Sequence, residues 1–454
     1  ADTVSYGDYT ETRGRKGGVS VLDGIRAAVS PETEVLYERG CNFLGQALHP
    51  FDPSMLRDEN GESGLTGHYY NGPVPQGEPV QVRTDRTVNF NWIFALPHPA
   101  LDANCFNVVW TGSVVMPRTM DGCIGLSTQD SMRLYVDDKL LIDGWGKDKS
   151  ADQALDFHFE AGRTYKIRIE FVNDRRGARV IFGYSAGREN FPAAVEAARK
   201  ADVAILCMGD NEETSGENFD RTDLNLPGRQ LELVQAVYAT GTPVVLVLQS
   251  GRPVTANWEN DHLPAILEAW FPGEQGGTAI AKTLFGDAAP GGRLPITFPR
   301  SVGQIPCHYS RRPGGGKRYV EMDWLPLYPF GYGLTYTTFA YRDMALSRSV
   351  IDPQDTVTVS VTVTNTGKYT GDAVPQLYVR DMFSSVVKPE RQLAAFRRLT
   401  LAPGESRRVE LTVGPKQLRT LGPDYVWRVE PGKFELQLGD NAENILLRAD
   451  LTVE

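Results

Sequence analysis

Five cysteines, six histidines and no excess of positive charge withhold several kinds of chemistry from this 454-residue chain. The cysteines (Cys41, Cys105, Cys123, Cys207, Cys307) are odd in number and lack CxxC spacing. They read as isolated small apolar residues, neither a disulfide framework nor a zinc site. Cys105 and Cys123 are the one pair open to bonding if the compartment is oxidising. The histidines are scattered, none at ligand spacing from a second donor, so no metal or other cofactor is expected. A net charge of −10 argues against a nucleic-acid partner, which would need a basic face, and against an anionic membrane surface. No apolar run reaches the roughly 20 residues that span a bilayer. No secretory signal pattern opens the sequence.

What is present is a pattern that changes character three times. Residues 1–63 are mixed: Val19 to Val29 carries helical spacing and Glu34 to Tyr37 reads as a short strand. No strand precedes that helix, although a doubly wound domain normally begins with one. Residues 64–186 alternate as β structure. There Arg133 to Val136, Asp137-Asp138 and Lys139 to Ile142 form a hairpin with a two-residue turn. Residues 187–330 return to α/β: helices at Phe191–Lys200, Arg229–Ala239 and Gln275–Phe285, and buried strands at Val203–Met208, Val244–Leu248 and Ala265–Trp270. Residues 331–454 are β again, with strict alternation from Val357 to Val363 and a turn at Asn365-Thr366-Gly367. The expected fold class is multidomain α/β plus β. An α/β sandwich domain (1–63 and 187–330) is interrupted by a β-sandwich (64–186) and followed by an Ig-like or fibronectin-type sandwich (331–454).

The most informative stretch is Glu212-Glu213-Thr214-Ser215-Gly216-Glu217-Asn218-Phe219-Asp220-Arg221. It follows a strand, and ligands of open α/β sheets gather outside the carboxyl ends of strands. A carboxyl group there is a candidate proton donor, provided something closes over it and raises its pKa. The plainer alternative is a set of solvated loop carboxylates. Asp220 and Arg221 read as a local ion pair bracing the loop. Gly273 to Gly277 reads as a close packing turn ahead of a helix, since no P-loop lysine and serine follow. Arg311, Arg312, Lys317 and Arg318 read as a solvated charge run.

Spaced motifs then accumulate in one order. They are Phe219-Asp220-Arg221 with Leu226-Pro227-Gly228-Arg229-Gln230, Gln249-Ser250-Gly251-Arg252-Pro253, and Trp270-Phe271-Pro272-Gly273-Glu274-Gln275-Gly276-Gly277. Pro290-Gly291-Gly292-Arg293-Leu294-Pro295 and Tyr328-Pro329-Phe330-Gly331-Tyr332-Gly333-Leu334 complete the series. Together they resemble the second and third domains of glycoside hydrolase family 3, the β-glucosidase and β-xylosidase family. Gly64-Leu65, Tyr69-Tyr70, Trp110-Thr111-Gly112 and Arg133 to Asp137 make the β insertion similar to a protective-antigen-type sandwich.

The resemblance implies a retaining exo-β-glycosidase, most simply a β-glucosidase, acting on a β-glucoside or short β-linked oligosaccharide. It implies that Glu217 is the general acid/base, with Glu213 the second choice and Glu212 the third. Asp220 and Arg221 are carried over as bracing, substrate-side positions. Such enzymes carry an N-terminal barrel that supplies the nucleophilic aspartate, and nothing in this sequence reads as one. The chain is therefore expected to be a C-terminal portion whose partner is that barrel segment. A non-catalytic carbohydrate-binding or assembly module is the alternative, and β-xylosidase the alternative within the enzyme class. Some protective-antigen-type domains bind calcium through adjacent aspartates, but the matching pair here is Gln129-Asp130, which weakens a hard-cation site. The insertion is expected to shape the aglycone side, with Trp92, Phe94 or Trp110 candidates to reach the pocket. Tyr319 and Trp324 are candidates to touch an aglycone or to pack at a junction. A homodimer is left open, and a periplasmic or secreted location is what the resemblance implies.

Overall fold

A computed structural model describes the chain except residues 1–5, 8–16, 39, 42–47, 93–95, 129, 147–150, 174–177, 187–190, 212–213, 218 and 315–317. It divides into two units, one of Tyr37–Asp202 with Pro227–Thr242, the other of Ala1–Leu36, Val203–Leu226 and Pro243–Glu454.

The first unit is built around two antiparallel sheets. One has the order His49–Pro50, Arg179–Ala186, Met120–Thr128, Ala151–Phe159, with Asn89–Asn91 also on Arg179–Ala186. The other runs Gln81–Asp85, Leu65–Asn71, Phe106–Val115, Thr164–Asn173, Ser131–Val136, Lys139–Asp143, with Leu56–Arg57 on Phe106–Val115. Alternation puts Tyr165, Ile167, Ile169 and Phe171 into the core from one strand. The expected hairpin is present, with Asp137 and Asp138 both at positive φ (49° and 63°), as a two-residue turn of matching twist requires. The boundary expected at residue 64 falls inside this sandwich. His49 already pairs with Tyr184, and Leu56 with Val114. Two-residue strands carry too little alternation to be read from sequence.

Trp110 and Trp92 are core residues, not pocket residues. Trp110 is fully buried and donates its Nε1–H to Asp85 at 2.8 Å, and Trp92 stacks against Phe90. Phe94 lies outside the described residues. Asp85 also accepts from Tyr69 Oη and from Arg83 Nε, so its carboxylate is satisfied inside an apolar sandwich. Cys105 and Cys123 remain thiols, and Cys123 Sγ faces Asp156 Oδ1 at 3.3 Å, across paired strands.

The second unit contains a parallel sheet of Ala204–Gly209, Val244–Gln249 and Ala265–Glu268, in that order. The helices Val21–Ala28 and Gly276–Leu284 pack on each other through glycine. A Cβ on Gly277 would lie 1.9 Å from Ser20 O, and one on Gly24 would lie 2.2 Å from Gly277 O. The Gly273–Gly277 motif is therefore a packing turn. The strand expected at Glu34–Tyr37 is absent: 33–38 joins no sheet among the described residues, and Leu36 is exposed.

The rest of this unit is a second sandwich. Phe339–Leu346, Val357–Asn365 and Ser406–Val413 form one sheet, and Val350–Ile351, Ile445–Val453, Gly432–Gly439, Gln376–Asp381 and Gln392–Phe396 the other. Val357, Val359, Val361 and Val363 all point inward, fully buried. Buried Gln376 donates to Gly331 O and Asp440 O, joining the Gly331-Tyr332-Gly333 segment to the sandwich. Arg311 is not a solvated charge. It bonds Glu390 and Glu443 and lies over Trp324, 4.4 Å from the ring centroid, so Arg311 is a packing group, while Trp324 keeps 40 % of its surface exposed. Arg312 and Arg318 are exposed, and Tyr319 Oη donates to Gly303 O.

Candidate functional site

The three parallel strands end in register, Gly209 beside Gln249 and Leu248 beside Glu268. Three loops leave from this edge. Gly209 has φ +133°, and a Cβ there would sit 2.0 Å from Gln249 O, so only glycine lets the first loop turn away so close to its neighbour. Asp210 follows, 2 % exposed, with its N–H on Gln249 O at 2.8 Å.

Asp210 organises the loop. Its Oδ1 accepts from Arg221 Nη1 and from Thr214 Oγ1, each at 3.1 Å. Its Oδ2 faces Arg252 Nε at 3.5 Å. A buried carboxylate needs such compensation, and two guanidinium groups from different loops supply it. Arg221 goes on to Asn225 O at 2.7 Å and Asp223 at 3.4 Å. Asn225 is held in turn by Thr255 Oγ1 at 2.6 Å.

This corrects one expectation. Arg221 braces the loop, but its ion-pair partners are Asp210 and Asp223 rather than Asp220, which is exposed. Neighbouring side chains on a non-helical chain point to opposite sides, and the buried carboxylate is the stronger partner.

Glu217 is exposed within a tight turn, where Phe219 N–H bonds back to Gly216 O at 3.2 Å. Upstream, the Thr214 and Ser215 N–H groups both bond to Asn211 O, at 3.1 and 2.9 Å. Glu213 and Glu212 lie outside the described residues. The arrangement presents the carboxyl group of Glu217 on a loop whose base is fixed by buried charge.

Sequence reasoning missed three residues here. Asp210 stood two positions past the strand that was read. Arg252 lay inside a quoted motif without a role. From its motif loop, Arg252 Nη2 donates to Thr214 O and Ser215 Oγ, both at 3.3 Å, and Nη1 to Phe219 O at 3.4 Å. Its neighbour Gly251 leaves room for Phe271 and Ser215: a Cβ there would lie 2.9 Å from the Phe271 ring and 3.0 Å from Ser215 Oγ. Glu268, the third, ends the strand Ala265–Glu268. Its Oε1 accepts from Trp270 N–H at 2.9 Å, while Oε2 has no hydrogen-bond partner among the described residues. Burial pushes Glu268 up to about 8, opposed by the Trp270 N–H and reinforced by the charge of Asp210. It is a neutral acid at pH 7. The detectable signal was a glutamate closing an otherwise apolar strand.

Among the described residues no group of three His, Cys, Asp or Glu is placed to hold a metal. No helix among them is long and apolar enough to cross a membrane.

Comparison with known proteins gives two domain matches. The glycosyl hydrolase family 3 C-terminal domain matches residues 1–336, and the fibronectin type III-like domain matches residues 373–442. A β-xylosidase of Formosa agariphila is 45% identical over 302 residues, 64% of this chain and 42% of that protein. A β-glucosidase of Rhizobium radiobacter is 34% identical over 469 residues, 96% of this chain and 55% of that protein. The crystal structure of a β-glucosidase from Kluyveromyces marxianus in complex with glucose superposes with a TM-score of 0.66 at 28% identity, covering 97% of this chain and 56% of that one. The chain thus spans about half the length of the relatives it matches.

Proposed function

We propose, because this chain belongs to glycosyl hydrolase family 3, that it is the C-terminal portion of a retaining exo-β-glycosidase and carries the general acid/base, Glu217. The substrate proposed is a terminal, non-reducing β-D-glucosyl residue of a small glucoside or short oligosaccharide. The nucleophilic aspartate would come from an N-terminal barrel outside this sequence. The sandwich within Tyr37–Asp202 would be the protective-antigen-type insertion, shaping the aglycone side.

The observation that carries this reading is the loop of Glu217 itself, displayed at the carboxyl edge of the sheet and anchored at its base by Asp210, Arg221 and Arg252. Retaining hydrolysis needs two carboxyl groups about 5–5.5 Å apart. In the first step Glu217 donates its proton to the glycosidic oxygen while the nucleophile bonds the anomeric carbon. The aglycone leaves as an alcohol. In the second step the Glu217 carboxylate takes a proton from water, whose oxygen displaces the nucleophile and regenerates both groups. Enclosure by the barrel segment would keep the donor protonated before attack.

The test is a pair of variants in the full-length enzyme, Glu217→Ala and Glu213→Ala. Glu217→Ala should lower kcat/KM on cellobiose by about 10²–10⁴-fold and spare 2,4-dinitrophenyl β-glucoside, whose leaving group needs no proton. Wild-type turnover of cellobiose by Glu217→Ala would reject the assignment, and the same pattern in Glu213→Ala would move it there. A β-xylosidase is the second reading, favoured by the 45% identity to the Formosa agariphila β-xylosidase. Relative kcat/KM on 4-nitrophenyl xyloside and glucoside decides between them.

A further inference from the structure

We infer that Arg252 is a positioning residue for the proton donor: one guanidinium fixes the chain on both sides of Glu217 to a buried carboxylate. The inference rests on the assignment of Glu217 above. Thr214 and Ser215 precede Glu217 and Phe219 follows it, and Arg252 bonds all three. Its Nε faces Asp210 Oδ2 at the same time. None of these contacts is short, so the hold comes from their number and from the planar fork that delivers them together. An ammonium group is a single point charge, able to reach Asp210 or the neck of the loop but not both.

Arg252 is itself rigidly placed. Ser250, fully buried, donates its hydroxyl to Arg252 O at 2.7 Å, and Gly251 lets the Phe271 ring and Ser215 close in. Apart from Arg252, Asp210 Oδ2 has no polar partner among the described residues, so this cation offsets the charge on that oxygen. Arg221 serves the other oxygen from inside the loop, whereas Arg252 arrives from a different strand and ties the loop to the sheet. Misplacing a catalytic group by about 1 Å costs on the order of 10²-fold in rate.

The experiment uses the full-length enzyme, with Arg252→Gln and Arg252→Lys beside Glu217→Ala, each normalised to active sites titrated with a 2-deoxy-2-fluoroglucoside. Arg252→Gln should lose on the order of 10²-fold in kcat/KM on cellobiose and under about 10-fold on 2,4-dinitrophenyl β-glucoside. Arg252→Lys should recover part of the cellobiose loss, since charge returns without the fork. An equal loss on both substrates, or none, would overturn the inference while Glu217→Ala keeps its leaving-group signature. If Glu217→Ala shows no such signature, the Glu217 assignment fails and the inference falls with it. Hydrogen exchange at the Thr214, Ser215 and Phe219 amides gives a readout independent of turnover. Exchange in Arg252→Gln should rise by about tenfold or more, and unchanged exchange would also overturn the inference.

Discussion

Two buried aspartates show how the same side chain serves different ends in this molecule. Asp85 lies inside the first sandwich and is satisfied by Tyr69, Trp110 and Arg83, all from its own sheet. Asp210 lies at the end of a parallel strand and is satisfied by Arg221 and Arg252 from separate loops, with Thr214 beside them. Two of the Asp85 partners are neutral donors on fully buried rings, so that network staples a core. Both guanidinium partners of Asp210 come from loops that leave the carboxyl edge of the parallel sheet, so that network orients a loop. The first arrangement serves stability, and the second is proposed to serve chemistry.

The largest stability effect should come from Asp85→Ala. It strands the Tyr69 hydroxyl, the Trp110 N–H and the Arg83 charge, costing about 3–5 kcal/mol in chemical denaturation. Asp210→Ala should cost less stability, because Arg221 keeps Asn225 O and Asp223 and Arg252 keeps Thr214 O and Phe219 O as acceptors, yet lose on the order of 10²-fold in cellobiose turnover in the full-length enzyme. Equal stability losses with no difference in turnover would erase the contrast.

Glu268 sharpens the same contrast through pH. Its folded pKa stands raised, from 4.5 to about 8, so the folded state holds a proton that the unfolded state releases across that interval. Stability should therefore fall as pH rises from 4.5 to about 8, by up to about 1.4 kcal/mol per pH unit from this group. Glu268→Gln should flatten that slope in denaturation curves taken at pH 5 and pH 8. A slope unchanged by the substitution would mean that Glu268 ionises normally.

Gly277→Ala should cost about 1–3 kcal/mol through overpacking against Ser20 O, measured by the same denaturation. Smallest of all, Lys166→Ala removes an exposed partner of Asp138 and should leave the denaturation midpoint unchanged.

Much of this was legible in the sequence wherever a local pattern carried it. The apolar runs at Val203–Met208 and Val244–Leu248 gave strands at Ala204–Gly209 and Val244–Gln249. The alternation from Val357 gave the core valines of the second sandwich. The loop of Glu217 stood out by its carboxylates and its place after a strand. What stayed hidden depends on distant segments meeting. Arg252 acquires its role only where the ends of two strands lie side by side, and nothing in its own neighbours signals Asp210. Asp220 was paired with Arg221 because sequence shows adjacency and not direction. Trp92 and Trp110 are as suitable for a pocket as for a core until the sheets are stacked.

Azide tests the role of Glu217 most directly. In full-length Glu217→Ala, turning over 2,4-dinitrophenyl β-glucoside in azide, the anion should attack the glycosyl–enzyme from the face Glu217 served. It needs no base, and it displaces the nucleophilic carboxylate with retained configuration. The expected result is faster turnover with azide and β-glucosyl azide as the product in the proton NMR spectrum. Glucose as the sole product at an azide-independent rate, or the azide adduct arising from Glu213→Ala instead, would contradict the role given to Glu217.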